Sequence, residues 1–339
     1  MAKPRVLVVR DAAIGDLIQM TPIIRHLHNQ GYRVNVATKK AAGNAVLLNN
    51  PYVNEAISLE QCEDMEARQA QIDKILSKKP YAHCYDFVHS VEARYLFHSC
   101  RPEYDYPIED RRAISGSVNY VEDMCQLVGA TDTKMELFET IFERRDFEKM
   151  RACFLGGPVV QFQLTGSSMN KCLPWWPLVA KGLIEAYPKI TIITTGEPKA
   201  KILEGGITYA TGSKNIFPMA GELSMRRALL LTRHVDLVIG PETGVMNAAG
   251  CFDTPKIVLL SHSNHTNLTR DWKNVYPLQS PSECSPCYRI VGDTDICWKV
   301  TDKESPICGA MKCMAQFQHK TIVDTARKAI ENAKSKEIR

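Results

Sequence analysis

Three short stretches of this 339-residue chain place chemically capable side chains directly after apolar, strand-like runs. The first is Arg10-Asp11-Ala12-Ala13-Ile14-Gly15-Asp16, after the run 6–9. Gly15 lets the backbone turn tightly into a helix, and Asp16 falls in that helix's first turn. An Asp there is either an N-terminal cap or a general base presented at the end of a strand, and spacing alone favours the cap. The second is Gly240-Pro241-Glu242-Thr243-Gly244-Val245-Met246-Asn247-Ala248-Ala249, again a strand entering a helix. The amides of Thr243 and Gly244 would open that helix as a phosphate site, or form an ordinary capped turn. The third is Thr165-Gly166-Ser167-Ser168-Met169-Asn170-Lys171. A glycine, hydroxyls and a lysine past a strand end suit phosphate oxygens, although a plain polar loop has the same composition. The spacing is not that of a Walker A loop, so ATP hydrolysis is not indicated.

The elements that must hold these stretches follow from hydrophobic periodicity. Strands are predicted at 5–9, 33–38, 55–58 and 85–89, with helices at 17–29, 41–48 and 67–76 between them. After a charged helical stretch at 136–155 and Gly156-Gly157-Pro158, the alternation restarts. Strands are then predicted at 159–162, 190–194, 237–239 and 256–260, with helices at 175–187, 225–232, 245–250 and 322–333. Strands separated by helices mean βαβ units and parallel, doubly wound sheets. The expected organisation is an N-terminal Rossmann-like domain over 1–155, a second over 156–320, and a C-terminal helix and tail over 321–339. The cleft between two such domains is the default ligand site.

Composition excludes several classes. The 45% hydrophobic and 24% charged fractions describe a globular chain. No apolar run reaches membrane-span length or resembles a signal peptide, so a cytoplasmic protein is expected. Residues 1–150 carry 19 Lys/Arg against 22 Asp/Glu, and residues 151–339 carry 23 against 16. The basic second half suits an anionic ligand, while the acidic first half does not indicate nucleic acid. Five of the twelve cysteines, Cys284, Cys287, Cys297, Cys308 and Cys313, crowd into 284–313. They are compatible with a structural zinc knuckle, but the missing second Cys-x2-Cys favours a loop of reduced or disulfide-linked cysteines. Glu92 and Arg94 follow the fourth predicted strand, as acceptor-facing groups or as solvated loop charges.

The order of these motifs resembles glycosyltransferase family 9, the ADP-heptose:lipopolysaccharide heptosyltransferases. The resemblance rests on Arg10, Gly15-Asp16 and Thr21-Pro22; on Lys171-Cys172-Leu173-Pro174, with Leu173 where the family has Trp; and on Thr195-Gly196-Glu197 after a strand. It continues through Ala220-Gly221-Glu222-Leu223-Ser224-Met225, Glu242-Thr243-Gly244-Val245-Met246-Asn247-Ala248-Ala249, Cys284-Ser285-Pro286-Cys287 and Cys313-Met314.

The resemblance implies an α/β GT-B fold, with two facing Rossmann-like domains and the active site in the cleft between them. It implies Asp16 as catalytic base, with Gly15 shaping its loop. Donor-binding residues would be Ser167, Ser168, Lys171, Gly196, Glu242, Thr243, Gly244 and Asn247. The implied reaction is inverting and metal-independent, with no required cofactor. The donor would be ADP-heptose or another nucleotide diphosphate sugar. The acceptor would be a lipopolysaccharide or other glycan or glycolipid, reached by peripheral contact with the inner face of a membrane. A protein or modified-nucleobase acceptor, or a non-catalytic nucleotide-sugar-binding relative, are the alternatives. Two departures stand out: the family's signature Asp is Glu242 and its His is Asn247. Glu reaches one methylene further toward a ribose or sugar hydroxyl, whereas Asn can never carry charge.

Overall fold

The computed structural model describes residues 3–62, 64–88, 90–98, 100–154, 156–212, 214–290 and 311–337. The chain forms two α/β units, Met1–Arg94 with Tyr120–Thr140 and Tyr95–Asn119 with Ile141–Arg339. It therefore changes unit at 94/95, 119/120 and 140/141, whereas the sequence places the boundary between its two Rossmann-like domains at 155/156. The helix Ile141–Ala152 belongs with the second unit for a physical reason. Arg226 grips Glu143 with both arms at 2.5 and 2.8 Å, and Phe147 stacks on His234 at 4.7 Å.

In the first unit, strands β1 (Arg5–Val9), β2 (Arg33–Lys39), β3 (Val53–Leu59) and β4 (His83–Asp86) form a parallel sheet in the order β3-β2-β1-β4. Val6, Leu7, Val8 and Val9 are wholly buried, as a parallel strand covered on both faces requires. The chain steps outward from β1 to β3 and returns to the other side of β1, so the winding reverses between β1 and β4. The predicted helix 17–29 is two helices, Ile14–Gln19 and Thr21–Asn29. Pro22 has no amide to continue the first, but it fits the opening turn of the second.

The second unit begins with β5 (Phe97–His98), which pairs with the last strand, β12 (Arg289–Ile290). Its main sheet is β6 (Val159–Gln163), β7 (Thr191–Thr195), β8 (Ile216–Pro218), β9 (Leu237–Pro241), β10 (Lys256–Leu260) and β11 (Val275–Gln279). All six are parallel, in the order β11-β10-β9-β6-β7-β8. Here the winding reverses between β6 and β9. Sequence periodicity missed β8, β11 and the helix Lys201–Thr211. Strand β8 has three residues, β11 carries Pro277 at the sheet edge, and the helix contains Gly205-Gly206, which lowers helix propensity. The core gathers Phe162, Trp176, Leu183, Ile192, Ile239 and Ile257, closed by Ile322, Ala326 and Ile330 of the helix His319–Glu337. Trp176 lies 4.8 Å from Phe162 and donates to the Leu164 carbonyl at 3.1 Å, and Trp175 donates to the Ala315 carbonyl at 2.8 Å, so both tryptophans are packing residues.

Candidate active site

In open parallel sheets, ligands bind beyond the carboxyl ends of the strands where the winding reverses. The first reversal holds Asp16. Its residue is the third of the helix Ile14–Gln19, and the Ala13 amide donates to Oδ2 at 2.9 Å. Oδ1 lies 3.6 Å from the Arg10 guanidinium, and the Asp16 side chain keeps 21% of its exposure. Asp16 therefore braces the helix start and holds its carboxylate at the sheet edge. Gly15 is buried beside it. Arg10 is buried and spans the reversal, donating to the Phe87 carbonyl beyond β4 at 2.7 Å.

A second guanidinium does similar work. Arg68, from the helix Met65–Lys78, holds both oxygens of Asp86 at 2.6 and 2.7 Å and donates to Asp11 at 3.0 Å. The bonds to Asp86 outweigh burial and push Arg68 above the usual arginine range, so it stays charged. No local sequence signal marks this triad, because its members lie 18 and 57 positions from Arg68. Arg94 is drawn into an ion pair with Asp123 at 2.9 Å. The Glu92 side chain lies outside the described residues.

The second reversal brings two of the predicted stretches together. A Cβ placed on Gly166 would lie 2.5 Å from Lys171 Cδ and 2.9 Å from Thr243 Cγ2. Only glycine lets the loop after β6, the Lys171 stem and the start of the helix Gly244–Gly250 share this space. Thr165 is buried, and its Oγ1 has no hydrogen-bond partner among the described residues. A Cβ on Gly196 would come within 3.4 Å of that same hydroxyl oxygen. Gly221, at φ +72°, donates to the Gly196 carbonyl at 2.9 Å and closes the loop beyond β8. Ser167 is exposed, while Ser168 is buried and bonded to Asn170 Oδ1.

The helix Gly244–Gly250 has seven residues, and Thr243 caps it through the Met246 amide at 3.5 Å. So short a helix adds little dipole. Asn247 is buried in the same helix.

Glu242 is bonded throughout to the loop after β10. Its Oε2 accepts from the Ser261 amide at 2.8 Å, the Ser261 hydroxyl at 3.0 Å and the His262 amide at 3.1 Å. Its Oε1 accepts from the Ser263 amide at 3.1 Å and from the Ser263 hydroxyl. The carboxylate reaches the loop after β10. Burial by itself would raise the Glu242 pKa, but the His262 ring, the Ser263 hydroxyl and the Ser261 amide outweigh it and hold it at about 2. The Ser261 hydroxyl also donates to the Asn170 carbonyl at 3.0 Å, linking this loop to the one carrying Lys171.

Cys284, Cys287 and Cys313 are half-buried thiols, and Cys284 Sγ sits 3.2 Å from the Ser282 hydroxyl. Among the described residues, no three His, Cys, Asp or Glu side chains assemble as a metal site. Cys297 and Cys308 lie outside the described residues. Among those described, no helix is long and apolar enough to cross a membrane.

Two parallel, doubly wound units, each with polar loops at its winding reversal, have the architecture of the GT-B fold. The sequence profile of glycosyltransferase family 9 (heptosyltransferase) matches residues 102–294, and the chain belongs to this family. Among solved structures it is similar to a family 9 glycosyltransferase of Veillonella parvula DSM 2008. That likeness has a TM-score of 0.69 and 13% identity over 98% of this chain and 99% of the other. It is also similar to the E. coli ADP-heptose LPS heptosyltransferase II, at TM-score 0.68 and 15% identity over 97% and 99%. A third similar fold is TibC, an iron-containing dodecameric glycosyltransferase of enterotoxigenic E. coli, at TM-score 0.61 and 10% identity over 98% and 80%. No curated protein sequence matches the chain.

Proposed function

We propose that this protein transfers a sugar, heptose or a related one, from ADP-heptose or another nucleoside diphosphate sugar to an acceptor hydroxyl, inverting the anomeric carbon. The acceptor is a lipopolysaccharide or other cell-surface glycan, met by peripheral contact with a membrane. Asp16 takes the proton of the acceptor hydroxyl. The hydroxyl oxygen then bonds to the anomeric carbon as the bond from that carbon to the phosphate oxygen breaks. Lys171, the Ser167 and Thr165 hydroxyls, and the start of the helix at Thr243 and Gly244 bind the departing diphosphate. Gly196 and Asn247 complete the donor-binding surface, while Ser168 and Glu242 support it from beneath.

The observation that carries this reading is the packing of Lys171 and Thr243 onto Gly166, beside the unpartnered Thr165 hydroxyl, where the second sheet reverses. A nucleotide-sugar panel read by thermal shift tests it, since a ligand at a hundred times its Kd stabilises by roughly 2.7 kcal/mol. Lys171→Ala is expected to abolish the shift. No shift with any nucleotide sugar, or an undiminished shift in Lys171→Ala, would overturn the donor reading. The lysine supplies the positive charge in this scheme, so the proposed reaction needs no metal. Chelation should leave the rate unchanged, and a loss restored by magnesium would refute that part.

A further inference from the structure

We propose that His262, held by Glu242 at the carboxyl end of the second sheet, is a donor-binding residue whose imidazolium takes a phosphate oxygen of the nucleoside diphosphate. This rests on the donor reading above and adds a residue that sequence motifs did not single out.

The geometry begins with Glu242. Five neutral donors from Ser261, His262 and Ser263 already serve its two oxygens. A carboxylate has about four lone-pair sites, so holding the loop does not require the imidazole. The ring is nevertheless there: Nδ1 lies 2.8 Å from Oε2, close but off the line of a hydrogen bond, and its side chain is only 9% exposed. An imidazolium beside a buried carboxylate is a compensated charge, whereas an unpaired one would be costly to bury. Nδ1 itself is inaccessible, so the exposure the ring keeps lies elsewhere on it. His262 follows Ser261, whose hydroxyl is bonded to Asn170 beside Lys171. Glu242 precedes Thr243, whose methyl lies against Gly166. The loop carrying His262 thus adjoins the loops assigned to the diphosphate, where a second cation would share the anion with Lys171.

Glu242, after β9, faces the ring at Nδ1, and Lys171 lies in the loop after β6 that Ser261 reaches through Asn170. Tyr288, whose amide donates to the His262 carbonyl at 2.8 Å, is pushed above its usual range by burial. Cys287 precedes it, Arg112 holds the carbonyls of Glu283, Ser285 and Pro286, and His265 on the same loop bonds Thr269 Oγ1 at 2.7 Å.

The test is the Kd of ADP-glucose and UDP-glucose, measured by calorimetry. His262→Gln should weaken binding about tenfold or more, His262→Lys should restore it, and His265→Gln should leave it at the wild-type value. A His262→Gln protein with wild-type affinity, or a His262→Lys protein as weak as His262→Gln, would overturn the inference while leaving the donor reading intact. No binding of any nucleotide sugar to the wild type would instead overturn the donor reading itself. If His262→Gln fails to fold, His262→Lys carries the test: wild-type affinity is expected, and a loss of about tenfold would overturn the inference.

Discussion

The two sheets reverse their winding in the same way, yet the two reversals are wired by different chemistry. In the first unit, charge does the work: Arg10 and Arg68 are buried beneath Asp11, Asp16 and Asp86. In the second unit, hydroxyls and main-chain amides converge on one buried carboxylate, Glu242, and Gly166 lets Lys171 and Thr243 pack together. The first arrangement holds carboxylates beside guanidinium groups at the sheet edge, where the proposed function needs a proton acceptor. The second leaves backbone and a lysine close together, which suits an anion. On the proposed function, one topology supports two chemistries because the residues beyond the strand ends, not the strands, carry them.

The comparison breaks most visibly at Asp16. Asp16→Asn keeps an oxygen for the Ala13 amide but cannot accept the proton, so the transfer rate should fall about a hundred- to ten-thousand-fold with donor Kd unchanged. Near-normal turnover with a lower melting temperature would make Asp16 a brace alone.

Arg68→Met should cost about 3 kcal/mol in urea unfolding, because Asp11 and Asp86 lose their shared partner. A change below about 0.5 kcal/mol would mean that the first reversal is not held by charge.

At the second reversal, acid is the probe. The Glu242 pKa is held at about 2 against 4.5 for an ordinary glutamate. Its stabilisation is therefore complete above pH 4.5 and is lost as pH falls from 4.5 toward 2. The loss should be on the order of 3 kcal/mol. Thermal melts of Glu242→Gln should lack this part of the acid limb; an acid limb identical to wild type would contradict the assignment.

The smallest effect is expected from Gly166→Ala, whose methyl would displace the Lys171 stem and press on Thr243. Donor affinity should weaken about tenfold, or roughly 1.4 kcal/mol, with little change in melting temperature. Unchanged affinity in calorimetry would separate Lys171 from the donor.

Much of this organisation is legible in the sequence. Buried parallel strands read as continuous apolar runs, which is why β1, β6, β7, β9 and β10 stand out and the edge strands β8 and β11 do not. Asp16, Lys171, Thr243 and Gly244 stand out because each lies just past such a run. Arg68, Asp86 and His262 do not, because their meaning is set by partners far along the chain or on a neighbouring strand's loop. Glu242 is the instructive case. Its place in the signature is visible, but the structure spends its carboxylate on Ser261, His262 and Ser263.

The central claim is that these two reversals together make a transferase and not only a nucleotide-sugar binder. Chromatographic measurement of nucleoside diphosphate released from ADP-heptose and other nucleotide sugars, with a glycolipid acceptor present, addresses it most directly. The account predicts release by the wild type matched by sugar gained on the acceptor, and release lost in Asp16→Asn although the donor still binds. Tight donor binding by the wild type with no diphosphate released from any nucleotide sugar would contradict it.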